Sequence, residues 1–227
     1  MMAVSVIIEE QIEIPLDLRS LADFRRWAQS NAFPEHGRID YIAGNIEIDM
    51  SPEDLFCHGI LKTEIVGVLH RVVKENQLGY LFTDSTRVSC PGANLSAEPD
   101  VVFVSHEALR QRRVRLVKAA SAEPAHYVEL EGAPDLIVEI VSKGSVAKDT
   151  RRLPAAYFQA GVREFWLADA RKEPALFEIR GRAEMGYEPI EADPDGYQRS
   201  DVFACGFRLE GHRDREGIWT FDLGRKV

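Results

Sequence analysis

The chain has 227 residues, of which 45% are hydrophobic and 29% charged, with a formal net charge of −9. That balance can bury a sizeable core, and its negative sign excludes a protein that coats nucleic acid through bulk positive charge. No run approaches the roughly 18–20 apolar residues that span a bilayer. Residues 3–8 are too short an apolar stretch, without a basic flank, for a signal peptide, and three well-separated cysteines, Cys57, Cys90 and Cys205, point to reduced thiols in a cytoplasmic protein.

Ser20, with Asp23 three residues on, predicts a capped helix over residues 20–30. Residues 38–42 and 46–50 alternate around Ala43-Gly44-Asn45, a β-hairpin pattern. Over residues 52–75, Leu61, Ile65, Val68, Leu69 and Val72 recur at three- and four-residue steps, predicting an amphipathic helix closed by Gly79. Short strands follow at 80–83, 86–90 and 101–104. Residues 110–118 are basic and poorly periodic, and lead to a short strand near 126–129. Residues 135–142 (DLIVEIVS) read as a buried strand. A helix over 151–160 holds Pro154 in its first turn and ends at Gly161. A strand at 164–168 completes a βαβ step. The rest reads as antiparallel strands at 175–179, 187–190, 202–204 and 218–223. The predicted fold class is α/β, a mixed sheet flanked by helices with a trailing antiparallel β-meander. It forms a single domain over 1–227, with an N-terminal helix and hairpin (1–50), a core (51–170) and C-terminal strands (171–227).

Two carboxylates stand out. Glu139 interrupts an apolar run of Ile137, Val138, Ile140 and Val141, where an ionised carboxylate is costly unless it is paired or bound to metal. Asp100 follows Pro99 at the entrance of the next candidate strand, and Glu98, two residues earlier, points to the same side if the chain is extended there. Read singly, each has an ordinary structural explanation: a salt-bridged Glu and a turn-type Asp. Together on neighbouring strands they could hold one Mg²⁺. Lys143 and Lys148 are the local source of an ammonium that would stabilise developing negative charge.

Pro99-Asp100, then Pro134 followed by DLIVEIVS, then KDTRRLPAAYFQAG (148–161) and VREFWLAD (162–169) form a pattern that resembles the Uma family. These are bacterial proteins of the restriction-endonuclease type in the PD-(D/E)XK nuclease superfamily. The resemblance runs from the helix and hairpin before Met50-Ser51-Pro52, through His58, to the strands after Asp169. It implies a restriction-endonuclease-like fold and a Mg²⁺-dependent (or Mn²⁺-dependent) endonuclease acting on DNA, with RNA as an alternative substrate and homodimerisation left open. The implied metal ligands are Asp100 and Glu139, with Glu98 beside them. Glu64, on the helix before the sheet, is implied as an assisting acid. The family's lysine would fall at 141, where this chain has Val141. Its role would then pass to Lys148, favoured because it leads into a helix that can fold back over the Glu139 strand, or to Lys143. A catalytically silent binding or regulatory module on the same fold is the rival reading. His58, Tyr157 and Trp166 are expected to be structural, and Arg110, Arg112, Arg113, Arg115 and Lys118 to be solvated surface or phosphate contacts.

Overall fold

The computed structural model describes residues 5–8, 12–34, 36–119 and 126–227; part of the apolar N-terminal stretch lies outside the described residues. A hairpin of β1 (Ser5–Ile8) and β2 (Ile12–Pro15) precedes α1 (Leu21–Ala28). Ser20 caps α1 as predicted, accepting from the Asp23 N–H at 3.2 Å and donating to Asp23 Oδ2 at 2.7 Å. β3 (Arg38–Ile42) and β4 (Asn45–Asp49) form the predicted hairpin. Its turn residues, Ala43 and Gly44, have φ of 50° and 91°, the left-handed geometry that matches the strands' own twist.

A π-helical turn, Leu55–Ile60, feeds α2 (Leu61–Glu75). The helix stops at Asn76 rather than at Gly79. Gly79 instead opens β5 (Gly79–Thr83), where any Cβ would collide with the Val104 carbonyl of the adjacent strand. Next come β6 (Arg87–Cys90), β7 (Leu95–Ala97), β8 (Val101–Ser105), α3 (His106–Arg110), β9 (Val114–Lys118), β10 (Tyr127–Gly132) and β11 (Leu136–Ile140). A second π-helical turn, Lys148–Arg152, runs into α4 (Leu153–Ala160), which holds Pro154 in its first turn and ends at Gly161 with φ 92°. The chain finishes with β12 (Glu164–Asp169), β13 (Leu176–Arg182), β14 (Tyr187–Pro189), β15 (Gln198–Ser200), β16 (Cys205–Arg213) and β17 (Trp219–Lys226). Residues 202–204, expected as a strand, are a turn. Buried Phe203 sits in that turn with its ring 5.0 Å from that of Phe103, and this apolar anchor imitates strand patterning.

The central sheet has the order β14-β13-β12-β11-β8-β5. β11 and β12 are parallel across the α4 crossover, which is the predicted βαβ step; the other pairings are antiparallel. A second mixed sheet has the order β4-β3-β7-β6-β10-β9, and β15-β16-β17 form the trailing antiparallel sheet. Alternation along the strands gives the central sheet two apolar faces. Val101, Phe103, Leu136, Val138 and Trp166 pack with α2 and the trailing sheet. Val102, Val104, Ile137, Val141 and Phe165 pack with α4 and the second sheet. Glu139 is in phase with Ile137 and Val141, so it points into the layer beneath α4.

Candidate active site

In the β11–β8 register, Ile137 pairs with Val102 and Val138 with Val101. The next step in this antiparallel register brings Glu139 opposite Asp100. The Ile140 N–H donates to Asp100 Oδ2 at 2.7 Å, fixing that approach, and both acids are fully buried.

The two carboxylates sit in different electrostatic surroundings. Asp100 Oδ1 lies 2.9 Å from Arg38 Nη2 and 3.4 Å from His58 Nε2. Burial pushes its carboxyl up, but His58, Arg38 and the Ile140 N–H outweigh burial and hold it below the usual carboxylate range. Glu139 Oε1 accepts a 2.6 Å hydrogen bond from the Tyr157 hydroxyl, while its Oε2 has no hydrogen-bond partner among the described residues. Burial, then the charges of Asp100 and Asp149, push the Glu139 carboxyl well above the usual range. Asp149, on the turn leading into α4, is also buried and raised, to about 6; burial is the main cause, against a bond from Ser145 and the charge of Lys148. Its Oδ1 is unpartnered too.

Lys148 is buried, with its Nζ 2.9 Å from Asp40 Oδ2. Burial would lower its pKa, but Asp40 and then Glu139 outweigh it, so the group stays an ammonium within the field of Glu139. Lys143 is exposed. Glu98 is half-buried and bound to Arg87 at 2.5 Å, and its backbone N–H donates to Asp40 Oδ1. Glu64 faces away from the site: its Oε1 accepts from the Leu223 N–H at 2.9 Å and ties α2 to the trailing sheet. The reason is helical phase, since Glu64 lies two residues, about 200°, from Lys62 on the Asp100 side. Lys62 Nζ is 3.9 Å from Asp100 Oδ1, 3.0 Å from Glu53 Oε1 and 2.6 Å from Asp84 Oδ1.

Sequence reasoning missed Arg38, Asp40, Glu53, Lys62 and Asp149, and took Tyr157 for core alone. Asp149 carried a signal, as an acid inside the same motif as Lys148 and eight residues before Tyr157. Arg38 carried none, because its hairpin meets Asp100 only through the tertiary fold. His58, expected to be structural, stands against Asp100. Of the basic stretch, Arg110, Arg113 and Arg115 pair with Glu107, Asp135 and Glu131. A cleft of about 350 Å³, lined by Arg38, Asp49, Ser51, Glu53, His58 and Ser142 among others, opens beside Asp100. Donor atoms of Glu53, His58 and Asp100 lie within 4.8 Å of one another, a group able to ligate a metal ion. No helix of the described residues is long and apolar enough to cross a membrane.

The family model Uma2, described as "Putative restriction endonuclease", matches residues 21–211. No curated protein matches the sequence. Among solved structures, the chain is similar to a "putative nuclease belonging to DUF820" from Anabaena variabilis, a 1.96 Å crystal structure, with a TM-score of 0.57 and 20% identity over 82% of this chain and 90% of that one. That likeness is one of fold: a mixed α/β architecture.

Proposed function

The chain belongs to the Uma2 family, and from that premise we propose that it is a single-domain, metal-dependent endonuclease that hydrolyses phosphodiester bonds in DNA. The observation that carries the reading is the buried pair Asp100 and Glu139, with one Glu139 oxygen left without a partner among the described residues. Two unpartnered carboxylate oxygens, on Glu139 and Asp149, and the raised pKa of both groups describe a pocket short of positive charge. Such a donor set fits a hard divalent cation, Mg²⁺ or Mn²⁺.

Asp100 and Glu139 would hold that ion, with Asp149 alongside. When bound, it supplies Lewis acidity, lowering the pKa of its water and screening phosphate charge. The protein's own groups do the rest. The Tyr157 hydroxyl fixes the Glu139 rotamer. Arg38, bordering the cleft, offers a planar donor fork suited to phosphate oxygens. Lys148, anchored on Asp40, places a fixed positive charge near Glu139, where negative charge would develop. Val141 is buried in the apolar layer, so the lysine role would pass to Lys148, with the exposed Lys143 as the alternative. Glu98, the further ligand that the family resemblance implies, is engaged by Arg87.

The test is cleavage of supercoiled plasmid by the purified protein in Mg²⁺ or Mn²⁺. Nicking is expected, lost by a factor of about 10³ or more in Asp100→Ala. Protein that cleaves neither DNA nor RNA across salt and pH would favour the silent binding module, for which Val141 at the lysine position already speaks.

A further inference from the structure

Asp100 is also met by His58, from the turn that precedes α2. The His58 side chain is only 4% exposed and lies inside the Leu55–Ile60 π-helical turn. Extra-residue turns of this kind recur where a helix has been reshaped to present a side chain. His58 Nε2 faces Asp100 Oδ1 at 3.4 Å. Nδ1 faces Glu53 Oε2 at 3.5 Å, yet makes no hydrogen bond among the described residues. Asp54, capping the Phe56 and Cys57 N–H groups, sets where neighbouring Glu53 stands.

Each carboxylate has one oxygen anchored and the other turned to the imidazole. Glu53 Oε1 is held by Lys62 at 3.0 Å, leaving Oε2 toward His58. Asp100 Oδ2 is held by the Ile140 N–H, and Oδ1, turned toward His58, is also bound by Arg38 at 2.9 Å. Outer partners that orient ligands in this way are the usual support of a metal site. The charge balance agrees. Three carboxylates, Glu53, Asp84 and Asp100, surround two cations, Lys62 and Arg38, leaving one negative charge uncompensated when the imidazole is neutral. The two carboxylates that flank the imidazole would favour a cation there. The cleft beside Asp100 gives an ion access to both Glu53 and His58.

We propose that Glu53, His58 and Asp100 form a second cation site at the mouth of the cleft, separate from the Asp100–Glu139 pocket, and that it takes Mn²⁺, Co²⁺ or Zn²⁺ in preference to Mg²⁺. The imidazole nitrogen sets that preference, because Mg²⁺ favours all-oxygen surroundings whereas these later ions accept nitrogen readily. Asp100 is common to both sites. The inference concerns cation binding, and its expected stoichiometry rests on the Asp100–Glu139 pocket of the proposed function holding an ion as well.

Calorimetric and visible-absorption titration of the full chain with Co²⁺ tests it, with Mg²⁺ titrated in parallel. The wild type should bind two Co²⁺ and one Mg²⁺. His58→Gln and Glu53→Gln should each weaken one Co²⁺ by about tenfold or more, with loss of its absorption band, and leave Mg²⁺ binding in place. Glu139→Gln should weaken the other. Glu53 is half-exposed, so its variant probes the site without a buried substitution. One Co²⁺ per wild-type chain overturns the inference, as does unchanged Co²⁺ stoichiometry and affinity in both His58→Gln and Glu53→Gln. Plasmid nicking lost in Asp100→Ala alongside a single Co²⁺ would leave the nuclease reading standing and remove this one.

Discussion

Two glutamates lie buried one strand apart in the central sheet, Glu139 on β11 and Glu164 on β12, and their surroundings are opposite in kind. Glu164 accepts from Trp166 Nε1 at 2.7 Å, Ser200 Oγ at 2.6 Å, the Asp201 N–H at 2.8 Å and the Val202 N–H at 3.3 Å. It fastens the turn between β15 and β16 of the trailing sheet onto β12. Glu139 has one donor, an orphaned oxygen and two neighbouring acids. Burial raises both carboxyls. At Glu164 the bonds from Ser200, Trp166, Asp201 and Val202 all lower the pKa, whereas at Glu139 Asp100 and Asp149 add to the rise. Burial alone therefore does not separate the two acids; the balance of donors and like charges does, and it is what marks Glu139 as the candidate for function.

The comparison is sharpened most by deleting the satisfied acid. Glu164→Ala strands two backbone N–H groups, a serine hydroxyl and an indole N–H in the interior. A loss of roughly 3–5 kcal/mol is expected in urea melts, from several unsatisfied donors at once. A loss below about 1 kcal/mol would mean that the four bonds are not what holds the turn, and the contrast with Glu139 would collapse.

Next in size is the lysine. Lys148→Ala should lower turnover by about 10²-fold, roughly 2.7 kcal/mol, with Mg²⁺ affinity little changed, because an ammonium stabilises charge without ligating. Lys143→Ala, at an exposed position, should retain full activity. The reverse pattern in single-turnover assays would show that the charge reaches the phosphate from Lys143. Full activity in both would mean that Arg38 or Lys62 suffices.

Local patterns account for what was legible in the sequence. The Ser20 cap, the hairpin about Ala43-Gly44, the α4 crossover and the Glu139 strand each announce themselves within a few residues, because capping, turn geometry and alternation act at short range. Asp100 and Glu139 were legible as acids in apolar or strand-entrance settings. The cations around Asp100 were not. Arg38 lies 62 residues before Asp100, and its approach depends on how the second sheet stacks on the central one. Glu64 shows the converse failure. Its place at the border of an apolar face fits either side of α2, and only the trailing sheet, which claims it through the Leu223 N–H, decides which.

The smallest expected effect is the most discriminating, because its sign is opposite to that of Glu164. Glu139→Gln keeps an amide oxygen for the Tyr157 hydroxyl and removes a group that Asp100 and Asp149 oppose when ionised. In metal-free buffer at pH 7 the variant should be more stable than the wild type, because the raised carboxyl opposes folding once the unfolded chain ionises. The pH dependence follows from the raised pKa. Below the ordinary glutamate value of 4.5, Glu139 is neutral in both folded and unfolded chains and the two proteins should melt alike. As pH rises through that value, the unfolded chain loses its proton first, so the wild type loses stability until the folded carboxyl also ionises. The variant's profile should be flatter over that window. Mg²⁺ reverses the order: at a hundredfold excess over its dissociation constant the wild type gains about 2.7 kcal/mol, and the variant, lacking the ligand, gains little. Thermal melts over pH 4–8 with and without Mg²⁺ read all of this. A variant several kcal/mol weaker than the wild type in metal-free buffer would make the Tyr157–Glu139 bond structural and place Glu139 in the same class as Glu164.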